Sequence, residues 1–106
     1  IDAVFSMDDE TSMGAIQAIT EAGRTDIKAI TGGGGCQEYF RMIADPTYAD
    51  LGLASALYSP AMSQDAIRTA IEILNGGHPE PVVVIPTTIV SADNVADYLD
   101  PENTVY

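Results

Sequence analysis

Residues 2–31 read DAVFSMDDETSMGAIQAITEAGRTDIKAIT, and their order decides the fold. Residues 2–6 are a short, mostly apolar run that reads as a strand. Three acids, Asp8, Asp9 and Glu10, follow almost at once. Residues 11–22 then set Met13, Ile16, Ile19 and Ala22 three apart, the pattern of an amphipathic helix. Asp8 or Asp9 is expected to cap that helix, and Gly23 to end it. Residues 27–31, IKAIT, supply the next strand. Strand, helix and strand in this order predict a parallel pair joined by a right-handed crossover.

The alternation continues downstream. After the glycines at 32–35, a helix is expected over 37–44 with Tyr39, Phe40 and Ile43 inward, stopped by Asp45-Pro46. Residues 51–57, LGLASAL, read as a third strand rich in small side chains. Ser59-Pro60 opens a third helix, whose Met62, Ala66, Ile67, Ala70, Ile71 and Leu74 form one apolar stripe. Gly76-Gly77 closes it. Residues 82–85, VVVI, read as a fully apolar strand and 88–90 as another short one. A short helical turn is expected from Asn94, then an irregular tail to 106. The fold class is α/β, a parallel sheet with helices on its faces.

In open sheets of this kind, ligands sit outside the carboxyl ends of the strands. Those ends are Met7-Asp8-Asp9, the glycines at 32–35, and Tyr58-Ser59. Asp8 and Asp9 divide between two tasks: one caps the helix, the other faces a cleft and accepts hydrogen bonds from hydroxyl groups. A carboxylate pair also suits Mg²⁺. Gly33 and Gly34 let the backbone come close to a neutral ligand. They are not a phosphate loop, because neither G-x-x-x-x-G-K-[ST] nor G-x-G-x-x-G is matched and no base follows before Arg41. Tyr58 serves either as a packed wall or as a ring stacked on the apolar face of a sugar.

Composition narrows the classes. Sixteen acids against four bases give a net charge of −12, which repels nucleic acid and anionic membranes. No apolar run approaches the roughly 18 residues of a membrane span. The single cysteine, Cys36, cannot form an intrachain disulfide and reads as a small buried residue near a helix start. The sole histidine, His78, stands in a Gly-Gly-His-Pro turn. No Ser/His/Asp or Cys/His set is placed at strand ends, so no enzyme, cofactor or metal is expected. The chain opens at Ile1 inside a strand-like run, which predicts processing or a fragment.

Two families resemble parts of this pattern. VFSMDDE before a helix resembles the first strand and acidic pair of response-regulator receiver domains. Such a domain needs a phosphoacceptor aspartate after its third strand, where Tyr58 stands, and a late lysine, whereas the only lysine is Lys28. The second resemblance runs over nearly all 106 residues. Residues 2–31, residues 53–77 (LASALYSPAMSQDAIRTAIEILNGG) and residues 82–99 (VVVIPTTIVSADNVADYL) together resemble the C-terminal part of type I periplasmic sugar-binding proteins, the ribose-binding-like receptors of ABC importers. The resemblance implies a partial periplasmic-binding fold and a small neutral sugar or polyol as ligand. Importer membrane subunits would be partners, and the location periplasmic or extracellular. Asp8 matches the place where the family has an asparagine or aspartate on sugar hydroxyls. Gly33 stands where many members carry an aspartate, and Tyr58 where pentose-binding relatives often have a glutamine. A polyol or modified sugar is therefore expected. By the same resemblance, residues 1–58 belong to the C-terminal lobe, 59–90 would pack on the other lobe, and 91–106 return through the hinge. The missing N-terminal part, or a swapped second copy, would cover the apolar stripe of the third helix. A flavodoxin-like interaction module without a ligand is the remaining alternative.

Overall fold

Three of the expected strands pair in parallel in the computed structural model, which describes residues 1–103 and 105. The elements run β1 (Ala3–Phe5), α1 (Asp9–Glu21), β2 (Ala29–Gly33), α2 (Gln37–Ala44), β3 (Leu53–Leu57), α3 (Met62–Leu74) and β4 (Thr88–Ser91). Short 3-10 turns occupy Pro46–Leu51 and Val95–Asp97. The sheet order is β1-β2-β3-β4. Strand β4 closes it antiparallel to β3, with Ile89 opposite Ala56, where a purely parallel sheet was expected.

Helices α1 and α2 cover one face of this sheet. Alternation along the strands turns Ile30, Leu53 and Val90 toward them, and all three are buried. Ile16, Tyr39, Phe40 and Ile43 meet them from the helices. Fully burying such a side chain contributes about 1.5–3 kcal/mol, so these few residues carry much of the stability of a domain this small. The Tyr39 hydroxyl donates to the Ile30 carbonyl at 3.2 Å. Burial pushes its pKa up to about 12, so the hydroxyl keeps the proton it donates. Phe40 and Tyr98 meet edge to face, 6.3 Å between ring centroids.

The opposite face is bare among the described residues. Phe5 and Ile89 stand there 81% and 58% exposed, beside Ala54 and Ala56. Parallel sheets normally have both faces covered, and helices were expected on both. Helix α3 has no buried residue, although its apolar stripe is the longest in the chain. It projects away from the sheet. The radius of gyration is accordingly 17.1 Å, against the roughly 13 Å of a compact domain of this size.

Two strand readings need correction. Residues 82–85 form no strand among the described residues, and three valines in a row do not make a ladder without a neighbour. Strand β2 begins and ends two residues later than expected, so Gly32 and Gly33 complete a strand rather than form a loop. A Cβ on Gly32 would run into the Asp9 carboxylate and lie 3.0 Å from Ser12 Oγ. Glycine there reflects this close approach, which overrides its weak strand preference.

The turn after α2 carries a pH-dependent cap. Asp45 Oδ1 accepts the Thr47 amide at 2.8 Å, and that bond holds the carboxyl below its ordinary 3.8. The folded-state pKa is depressed, so the contribution is full above the unfolded value and lost as pH falls through the folded one. Thermal unfolding of wild type and Asp45→Ala should therefore differ above about pH 4 and converge in stronger acid.

Candidate functional site

The carboxyl ends of β1, β2 and β3 open on one side of the molecule. A hollow of about 290 Å³ runs from these ends onto the bare sheet face, lined among others by Phe5, Met7, Gly33, Ala54, Tyr58 and Ile89. Gly33 is closely approached from two sides. A Cβ at Gly33 would sit 3.1 Å from the Met7 carbonyl oxygen and 3.4 Å from Tyr58 Cε1. Glycine thus lets the Tyr58 ring and the β1 end close over β2. Tyr58 stays 39% exposed, and its hydroxyl has no partner among the described residues. The ring offers a face, and the hydroxyl a donor and an acceptor.

One aspartate caps the helix as expected, but its neighbour does not face a cleft. Asp8 is the N-cap of α1, with Oδ1 accepting the Thr11 amide at 2.6 Å. Hydrogen bonding by the Thr11 side chain, and then by its amide, lowers the Asp8 pKa. Among the described residues Oδ2 takes no hydrogen bond, so the half-buried carboxylate keeps an acceptor toward solvent. Asp8 flanks the hollow through its neighbour Met7 and does not itself line it.

Asp9 turns the other way, and its surface is fully buried. Its Oδ2 accepts the amides of Gly35 and Cys36 at 2.9 and 2.8 Å, and Oδ1 accepts the Ser55 hydroxyl at 2.7 Å. The first turn of α2 is capped by this carboxylate, because Cys36 offers no side-chain cap of its own. Asp9 therefore has no free oxygen for a ligand. The acidic pair does not present two carboxylates to one cation either, which removes the basis of the Mg²⁺ reading.

Gly34 lies between these groups. Its amide donates to the Ala56 carbonyl at 3.0 Å. Gly34 and Gly35 take φ of 117° and 95°, open to glycine and strained for other residues. Two nearby serine hydroxyls are spent internally: Ser6 Oγ on the Asp8 carbonyl at 3.0 Å, Ser12 Oγ on the Thr31 carbonyl at 2.8 Å. Of the expected site residues, Gly33 and Tyr58 share the hollow, Asp8 and Gly34 border it, and Asp9 lies beneath. Met7 and Ser55 were not singled out from the sequence. Ser55 is one polar position in a small-residue strand, and nothing local marks it as a partner of a carboxylate 46 positions away. A second groove, about 480 Å³, runs between α3 and residues 80–85 and shares no residue with the hollow.

No family model matches the sequence, and no curated protein does. Solved structures do match. An ABC transporter solute-binding protein from Mycobacterium smegmatis, with bound glycerol, aligns at 31% identity and TM-score 0.84 over 99% of this chain and 35% of its own. The periplasmic binding protein of the arabinose ABC transporter from Shewanella sp. ANA-3, bound to α- and β-L-arabinofuranose, aligns at 30% and 0.71 over 92% of this chain and 32% of its own. A galactofuranose-binding protein aligns at 25% and 0.74 over 92% and 33%. These neighbours are binding proteins, and the chain spans about a third of their length. The chain therefore has the fold of about a third of a type I periplasmic-binding protein and is similar over that part to ABC transporter solute-binding proteins.

Proposed function

We propose that this chain supplies one rim of a sugar- or polyol-binding site in the extracytoplasmic receptor of an ABC importer. The observation that carries the reading is the meeting of Met7, Gly33 and Tyr58 at the ends of three parallel strands, with the Asp8 carboxylate at their border. A neutral polyhydroxy ligand needs a charged acceptor held in place and a flat apolar surface for its C–H face. Asp8 and Tyr58 are one of each. Neighbours that bind glycerol, arabinofuranose and galactofuranose favour this class of ligand. In this reading the chain performs no catalysis and works in the periplasm or outside the cell, docking on importer membrane subunits.

The bare sheet face and the unburied stripe of α3 fit the two-lobed plan. Residues 1–58 would form part of the C-terminal lobe. Residues 59–90 would cross to pack on the other lobe, and residues 91–106 would return through the hinge, although 104 and 106 lie outside the described residues. The rest of the receptor, or an exchanged second copy, would cover α3 and the sheet face up to the strand ends, leaving the rim at Gly33 and Tyr58 open.

Isothermal titration with L-arabinose and with glycerol tests the reading. A hydrogen bond to a charged acceptor contributes about 1.5–3 kcal/mol, so Asp8→Ala should weaken binding by roughly ten- to 150-fold. The variant also loses its helix cap, which costs about 0.5–2 kcal/mol of stability, so binding must be read where it is folded. Unchanged affinity would remove Asp8 from the site.

A further inference from the structure

Asp9 is the buried carboxylate that the proposed site leaves unused. It is the first residue of α1, yet its bonds reach the start of α2 through Gly35 and Cys36, and the middle of β3 through Ser55. Each tethered element carries a rim group close by in the chain. Asp8 precedes Asp9 directly. Gly33 and Gly34 precede Gly35, and the Gly34 amide is itself bonded to Ala56, the neighbour of Ser55. Tyr58 lies three residues beyond Ser55. Three donors converge on one acceptor-only side chain, so moving any of the three elements breaks a bond in a place water does not reach.

We infer that Asp9 is a positioning residue for the ligand site: it fixes Asp8, the glycine turn and Tyr58 relative to one another, so affinity depends on a carboxylate the ligand does not touch. This rests on the reading of the rim as a sugar or polyol site. Groups that bind through a rigid constellation lose affinity when the groups supporting them relax, even with every contact residue intact.

The test measures the affinity of the receptor that contains this chain for L-arabinose and for glycerol, at a temperature where each variant is folded by circular dichroism. Asp9→Asn keeps the shape but replaces one acceptor by a donor group. Ser55→Ala removes a single donor and is the gentler variant should Asp9→Asn fail to fold. Ile43→Val, in the core at the far end of α2, serves as the destabilised control. The expected result is a two- to thirty-fold loss of affinity, about the range of indirect coupling, in the Asp9 or Ser55 variant and none in the control. Variants that lose thermal stability while keeping wild-type affinity would overturn the inference and leave the sugar site standing. A wild-type receptor that binds neither probe would overturn the site reading and this inference with it.

Discussion

Replacing Asp9 by alanine is expected to remove most of the stability of the chain. The substitution leaves the Gly35 and Cys36 amides and the Ser55 hydroxyl without their acceptor in a fully buried position. An orphaned buried donor costs about 1–3 kcal/mol, and this substitution leaves all of these donors orphaned together. Domains are stable by only about 5–15 kcal/mol, and a sheet with one bare face belongs at the low end. Urea unfolding should therefore show a midpoint far below wild type, or no folded baseline. Asp9→Asn, which keeps one acceptor for the two amides, should be milder. A loss under about 1 kcal/mol for the alanine variant would mean that water replaces the carboxylate, against the burial described here.

The second large effect is expected at Gly32. An added Cβ would collide with Asp9 Oδ1 and press on Ser12 Oγ and Tyr39 Cε1, the last at 3.1 Å. None of these can retreat freely. Asp9 is held by three bonds, Ser12 by the Thr31 carbonyl and Tyr39 by the Ile30 carbonyl. Overpacking of this kind costs about 1–3 kcal/mol. The effect has a signature beyond its size. In an Asp9→Ala background the collision with the carboxylate is gone, so the two changes should be strongly non-additive. Additive losses in a denaturant double-mutant cycle would place the strain elsewhere.

Both effects concern residues whose partners are remote in sequence, and this marks the limit of what could be read in advance. Helix α2 was legible at both ends, because Tyr39, Phe40 and Ile43 share a face and Asp45-Pro46 stops the pattern within a few residues. The capping acid before α1 was also legible, since an N-cap bond spans only Asp8 to Thr11. The role of Asp9 was not, because its donors lie 26, 27 and 46 positions away. The offset of β2 has the same origin: glycine is a poor strand former locally, and only the carboxylate packed on Gly32 explains it. Residues 82–85 show the converse error. Their composition suits a strand, but a strand is made by its neighbour, and among the described residues they pair with none. The candidate rim was legible as a place, the ends of three strands, because topology alone puts those ends together. Its internal division, with Tyr58 over Gly33 and Asp9 beneath, needed the packing.

Backbone amide chemical shifts followed by NMR during titration with L-arabinose or glycerol test the rim most directly. At ligand concentrations on the order of tens of millimolar, a site with Kd of about 1 mM is nearly filled. The shifts should concentrate at Met7, Asp8, Gly33, Gly34 and Tyr58. Shifts confined to the groove between α3 and residues 80–85, or none at all, would contradict a polyhydroxy ligand site at the strand ends.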